Sequence, residues 1–413
     1  MKTKILIIAP RHYVDELRSY YIPSNDIELH YQYEEPLLKA NLHNTVKELL
    51  SHDYRGFIGL VDWSSLLASY LNQQVKAPAP NSLIVAALQD KLLSRQIQAK
   101  CVKYRGIAVD SSKLDSLTGR DFPVFMKPRR ASMSFMAQQV NDSSEAHSIL
   151  TPRKVAILDK QNKAWAKLYD FLALPEKQVD GLNHFIIESL APNGIQITLD
   201  GFIQSKKVGF FGFTKSTFYP NHISFKRFDY PCYMPSRLGR KIQRHAKRFV
   251  KRSGFNNSLF NIEYIVDIEK KSFTLLEINT RPSSQFMYPI QCVTGIHPLD
   301  IAIDIVAGKK PRQKSKITKH QMASVCVLRR ADDAILKKIP SEDAMKWFSE
   351  KYPLGRWKLY VMPGEKLSDY PNDSRSYRYA ELVVLHKTPI NVHDYEDELK
   401  ARFDKSVEFE KIL

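Results

Sequence analysis

The sequence predicts a protein of mixed α/β and α+β class, divided into two or three domains. Three observations lead there. An apolar run at 5–9, ILIIA, has the length of one buried strand, and helical and strand patterns alternate through the first 90 residues. Residues 121–140, 184–203 and 261–281 read instead as strand pairs, the pattern of antiparallel sheet. A chain of 413 residues also exceeds what one ordinary core holds.

Composition excludes several classes. Hydrophobic residues make up 43% and charged residues 26%, which is globular rather than disordered. No apolar run approaches the roughly 18 residues of a membrane span, and the first apolar run is too short for a signal peptide. Cys101, Cys232, Cys292 and Cys326 are scattered with no C-x-x-C pair, which argues for a reducing cytoplasm and against a zinc site. The net charge of +18 suits an acidic or phosphate-bearing ligand. A nucleic-acid or membrane-surface partner is the competing reading, and no RNP-like or zinc-finger pattern supports nucleic acid.

In chain order, strands are expected at 5–9 and 56–61, with helices at 42–50 and from 66 onward. Ala9-Pro10-Arg11-His12 stands where a dinucleotide-binding domain has its glycine-rich turn, so that cofactor site is absent. Arg11 and His12 could face a ligand at the carboxyl end of the sheet, or be merely exposed. After the punctuation of Pro78 and Pro80, Asn81 or Ser82 caps a helix expected over 82–100. Asp90-Lys91 falls in its middle, with Arg95 one turn beyond.

Residues 124–126 read as a short strand running into Lys127 and Pro128. A small-residue turn with Ala131, Ser132 and Ser134 follows, then a return strand to Val140. Such a loop can aim N–H and hydroxyl donors at phosphates, although a plain hairpin with a basic rim fits as well. Residues 141–182 have helical tendency. Residues 184–190 form an apolar strand that breaks after Glu188 into a turn at 191–194, and a further strand covers 195–203. Free backbone groups at that break could pair with an adenine edge or simply mark a hinge. Residues 204–234 alternate aromatic and basic residues, fitting an aromatic-faced hairpin or a base-stacking surface. Residues 236–254 form an amphipathic helix with an apolar stripe of Leu238, Ile242, Ala246, Phe249 and Val250 and a crowded basic face. A basic linker at 308–316 precedes a small mixed unit at 320–413.

The most informative stretch is 261–281. With a turn centred on Lys270, Glu263 falls opposite Glu277 and Asn261 opposite Asn279. Alternation puts Phe273, Leu275, Glu277 and Asn279 on one face. Like charges directly opposed destabilise a hairpin unless a cation neutralises them. Oxygen ligands of this kind suit Mg²⁺ or Mn²⁺, although an ordinary solvated acidic face has the same pattern.

Taken together, these pieces resemble the ATP-grasp superfamily, in its carboxylate–amine ligase and biotin-carboxylase branch. Glu277, Asn279 and Arg281 match the family's E-x-N-x-R, and Glu263 matches its other acidic metal ligand. Lys91 in D-K-x-x-x-R and Lys127 in V-F-M-K-P match the two nucleotide lysines. Glu188 in I-I-E-S-L, followed by Ser189 and Leu190, matches the adenine-reading hinge. The resemblance implies a pre-ATP-grasp α/β domain over 1–90, an ATP-grasp module over 91–310 with a lid lobe at about 115–187, and a C-terminal α+β domain over 311–413. It implies ATP and Mg²⁺ (or Mn²⁺) bound by Lys91, Lys127, Glu263, Glu277 and Asn279, with Ser132 and Ser134 over the phosphates. Arg281 would meet the transferred phosphoryl group. Gln196 stands where the family usually has an acidic ribose contact, and the phosphate loop lacks the usual glycines. The implied function is ligation of a small-molecule carboxylate to an amine or thiol through an acyl phosphate, in the cytoplasm and as a homodimer. Bicarbonate activation of the biotin-carboxylase type and non-catalytic nucleotide or anion binding are the alternatives.

Overall fold

The structure is a computed structural model that describes residues 2–102, 108–131, 135–150, 152–175, 184–312, 321–370, 372–373, 375–387 and 393–412. Ser132, Ser134 and the end of the basic linker fall outside the described residues.

Strands β1 (Thr3–Ala9), β2 (Ile27–Tyr33) and β3 (Gly56–Gly59) form a parallel sheet in the order β2-β1-β3. Ile5, Ile7 and Ile8 in β1 are fully buried, as expected of a central parallel strand covered on both faces. Strand β2 and the helix Arg11–Tyr20 escaped the sequence reading. β2 is a half-buried edge strand with few apolar residues. The helix begins directly after Pro10, where a turn was expected.

Strands β4 (Ala108–Asp110), β5 (Val124–Pro128), β6 (Gln138–Val140) and β7 (Phe185–Ser189) form an antiparallel sheet in the order β4-β7-β5-β6. The third sheet begins with β8 (Ile195–Gln204), β9 (Lys207–Phe218), β10 (Phe225–Tyr230), β11 (Ser258–Asp267), β12 (Ser272–Asn279) and β13 (Met322–Arg330). Past β14 (Ala334–Lys338), it gains β15 (Arg356–Leu359) and β16 (Tyr377–His386). Its eight strands run in the order β12-β11-β8-β9-β10-β13-β16-β15, so strands after residue 320 continue the same sheet. β14 pairs separately with β17 (Glu408–Lys411).

The helix Ser236–Arg252 covers one face of this sheet. Its stripe of Leu238, Ile242, Ala246, Phe249 and Val250 is at most 3% exposed and shares a core with Ile262, Tyr264, Leu275 and Ile278. Burial stabilises by about 1.5–3 kcal/mol for each large apolar side chain. Gly254, at φ +82°, ends that helix in a conformation that favours glycine.

One expected element is divided. The helix expected over 82–100 is two, Ser82–Gln89 and Lys91–Val102, broken at an extended Asp90. The Asp90 carboxylate accepts from the Leu92 and Leu93 N–H groups, so it starts a new helix rather than sitting inside one. No helix among the described residues is long and apolar enough to cross a membrane.

Candidate active site

The site is built on the β11–β12 pair. Glu263 pairs with Glu277 and Asn261 with Asn279, as expected, although the turn itself pairs Asp267 with Ser272 and it is a bulge that brings Glu263 opposite Glu277. The expected face assignment needs correction. A bulge between Glu263 and Tyr264 passes over Leu276, so Leu275 pairs with Tyr264 and turns into the core with Phe273. Glu277 and Asn279 stay with Glu263 on the opposite face. A bulge re-aims side chains by one position. It also leaves the Leu276 carbonyl to accept from Arg95.

Around the two carboxylates the polar groups are closely spaced. Gln196 Nε2 donates to Glu263 Oε2 at 2.9 Å, and Asn279 Nδ2 donates to Asn261 Oδ1 at 2.8 Å. Lys91 Nζ lies 3.5 Å from Glu277 Oε1 and donates to the Ala131 carbonyl at 2.7 Å. It thus joins the acidic patch to Ala131. Burial, reinforced by the facing Glu277, pushes the Glu263 carboxyl up to about 7.

The second lysine has a different partner. Lys127 Nζ lies 2.6 Å from Glu188 Oε1, and Arg95 Nε donates to Glu188 Oε2 at 2.7 Å. Burial alone would raise Glu188, but Lys127 and Arg95 outweigh it and hold the carboxyl down to about 2. Glu188 is therefore a buried counter-ion at the end of β7, with Ser189 closing the strand and Leu190 exposed beyond it. Two residues on from Lys127, Arg129 grips Asp90 at 2.8 Å and Asp110 at 3.0 Å, which ties the end of β5 to the start of the Lys91 helix.

Arg281, just past β12, donates from Nε to Asp62 Oδ1 at 2.9 Å. Asp62 opens the helix Asp62–Gln74, which follows β3. Sequence reasoning missed it, because it started the helix at 66 and left Asp62 in the connection after the strand expected at 56–61. Asp200 was missed too. It pairs with Asn261 across β8 and β11, and its Oδ2 is buried without a hydrogen-bond partner among the described residues. Burial pushes its carboxyl up to about 7, against the pull of Ser283 and Arg281. The alternation that singled out Glu263 would have found Asp200 had β8 been registered against β11.

Chemically, the patch offers two facing carboxylates and an amide to a cation, with Lys91 and Arg281 at its rim. Among the described residues, no three or more His, Cys, Asp or Glu side chains are placed to hold a metal ion together. Such a set fits a hard cation that completes its shell with water or phosphate oxygens, rather than a closed zinc site.

Three sheets of this kind, with an antiparallel lobe set against a larger antiparallel sheet behind an N-terminal parallel one, make up the ATP-grasp fold, which this chain has. Solved structures share it over nearly the full length. L-amino acid ligase from Bacillus licheniformis is 12% identical with a TM-score of 0.75, covering 100% of this chain and 99% of that one. Carboxyaminoimidazole ribonucleotide synthase from Aspergillus clavatus, complexed with ATP, is 11% identical with a TM-score of 0.66, covering 98% and 99%. The dimeric biotin carboxylase domain of Hydrogenobacter thermophilus 2-oxoglutarate carboxylase, in complex with MgADP, ADP and bicarbonate, is 12% identical with a TM-score of 0.63, covering 99% and 91%. No family model and no curated protein matches the sequence.

Proposed function

We propose that the protein is an ATP-dependent ligase that joins a carboxylate to an amine or thiol. The observation that carries this reading is the pairing of Glu263 with Glu277 on one face, ringed by Lys91, Asn279 and Arg281. Two facing carboxylates with Lys91 and Arg281 beside them form a site for a metal and a polyphosphate together. The ATP and MgADP complexes among the solved structures of this fold support the same ligands.

In this reading Glu263, Glu277 and Asn279 hold Mg²⁺, which neutralises charge on the β- and γ-phosphates when bound. Lys91 and Lys127 contact the α- and β-phosphate oxygens. Lys127 then divides its charge between ATP and Glu188. The strand end at Glu188, Ser189 and Leu190 lies along the adenine, and Gln196 lies against the ribose. Ser132 and Ser134 contribute donors to the phosphates. Arg281, oriented by Asp62, meets the γ-phosphoryl group with a planar fork that stays charged.

The substrate carboxylate oxygen attacks the γ-phosphorus, and the bond to the β-phosphate oxygen breaks with its electrons leaving on ADP. The amine then attacks the acyl carbon, loses a proton, and expels phosphate. No protein nucleophile is required, because positioning and charge neutralisation carry the rate. A homodimer belongs to the same reading, on the precedent of the dimeric biotin carboxylase domain.

The test is Mg²⁺-dependent ADP and phosphate release across panels of carboxylates and amines. Turnover that needs both a carboxylate and an amine is the expected result. ATP binding with no turnover for any pair would overturn the ligase reading, and turnover dependent on bicarbonate and biotin would replace it.

A further inference from the structure

The proposed chemistry leaves the helix Ser236–Arg252 unused. It contains no acidic residue, and all eight of its lysines and arginines, from Arg237 to Arg252, are exposed. None has an acidic partner among the described residues. Arg252 donates to the Cys101 carbonyl, Arg244 to the Arg240 carbonyl, and Lys241 lies over the Phe273 ring. At 3.6 residues per turn the eight cations fall within an arc of about 140°, opposite the buried stripe, along about 25 Å of helix.

Three features decide what such a face fits. The helix lies flat, because its apolar side is buried along its whole length. It presents a plane and cannot project into a nucleic-acid groove. No aromatic residue stands on its exposed face, so it lacks the stacking platform of a single-strand binder. The exposed apolar groups nearby lie at its margins. Tyr233, 71% exposed, precedes the helix, and Ile268, 42% exposed, sits in the β11–β12 turn, whose Lys270 and Lys271 are balanced by Glu269 and by Asp267, 3.7 Å from Lys270. Lys241 over Phe273 brings that turn close to the helix. A broad cationic plane edged by an aromatic and an aliphatic side chain matches an anionic headgroup layer.

We propose that the exposed face of Ser236–Arg252 docks the protein on an anionic lipid surface. The helix packs on the face of β11 that carries Ile262 and Tyr264, with His245 Nδ1 3.2 Å from the Tyr264 hydroxyl. Glu263 and Glu277 are on the reverse face, so docking leaves the phosphate site open to solution.

The experiment is co-sedimentation of the full chain with vesicles of phosphatidylcholine alone or with about 30% phosphatidylglycerol, at low and high salt. The docking variant is Arg240→Gln, Arg244→Gln, Lys247→Gln and Arg248→Gln. A control variant removes the same charge elsewhere on the surface, as Lys39→Gln, Lys47→Gln, Lys113→Gln and Lys160→Gln. The expected result is salt-sensitive binding to the anionic vesicles only, at least about tenfold weaker in the docking variant and near wild type in the control. Circular dichroism and the melting temperature establish that both variants fold. Equal loss in the two variants would overturn the proposal by assigning binding to net charge. Absence of anionic-vesicle binding, or capture of an oligonucleotide in its place, would overturn it as well.

Discussion

Arg281 Nε donates to Asp62 Oδ1 at 2.9 Å, so the guanidinium at the end of β12 is held by an acid 219 residues earlier in the chain. The two lie in different sheet systems, and the contact joins the N-terminal parallel sheet to the acidic patch. Burial works against the charge on Arg281, and Asp62 more than offsets it, holding the pKa above the ordinary arginine value. Asp62→Asn keeps the shape and removes the charge that orients the fork. ATP turnover is expected to fall about 10- to 100-fold, mainly in kcat, with Asp62→Glu recovering part of it. Unchanged kcat in Asp62→Asn would show that Arg281 needs no such positioning.

Glu277→Gln separates the metal role from a structural one. Glu277 contributes to the raised pKa of Glu263, so the neutral amide relieves a like-charge repulsion while losing the 3.5 Å contact with Lys91. The ligand-free protein is expected to melt near the wild-type temperature. Stabilisation by Mg²⁺ with ADP should disappear and turnover fall by at least about 100-fold. Persistent turnover would show that the metal lies elsewhere.

The raised carboxyls give a pH signature. Glu263 and Asp200 titrate near 7 in the folded chain, above the ordinary values of 4.5 and 3.8. Between those values the folded state holds protons that the unfolded state has released. Stability from these groups is therefore fully present below about pH 4 and lost as pH rises through 7. Mg²⁺ requires the ionised form of Glu263, so the melting shift caused by Mg²⁺ with ADP should be larger at pH 8 than at pH 6. A shift of equal size at both values would remove Glu263 from the metal site.

Much of this geometry was legible because it is local. Alternation marks Glu263 and Glu277 as strand residues on polar faces, and the basic helix follows from the 3.6-residue spacing of Leu238, Ile242, Ala246 and Phe249; the Glu263–Glu277 pairing itself also needs the bulge, because the turn pairs Asp267 with Ser272. What escaped depends on other strands or on single residues. The bulge at Leu276 leaves no compositional mark, since leucine suits either face of a strand. The helix break at Asp90 carries neither glycine nor proline, and depends on Arg129 arriving from β5 to hold the capping carboxylate. Asp62 and Asp200 acquire their partners only when β3 and β8 are set against the ends of β11 and β12. Pairings of that kind join residues far apart in the chain, and no local spacing encodes them.

The Arg95–Glu188–Lys127 cluster predicts a stability effect distinct from all of these. Glu188 is 5% exposed between two cations, so Glu188→Gln leaves Arg95 and Lys127 without their counter-ion in a largely dry setting. Breaking a buried pair from one side costs about 3–5 kcal/mol, and urea unfolding at pH 7 measures the loss. The pH dependence identifies its origin. Glu188 is held down to about 2 against an ordinary 4.5, so its stabilisation is present above pH 4.5 and declines as pH falls toward 2. The gap between wild type and Glu188→Gln should therefore narrow over that interval. A gap independent of pH would assign the loss to packing instead of charge. Adding Arg95→Met should cost less in the Glu188→Gln background than in wild type, because the charge it removes has already lost its partner.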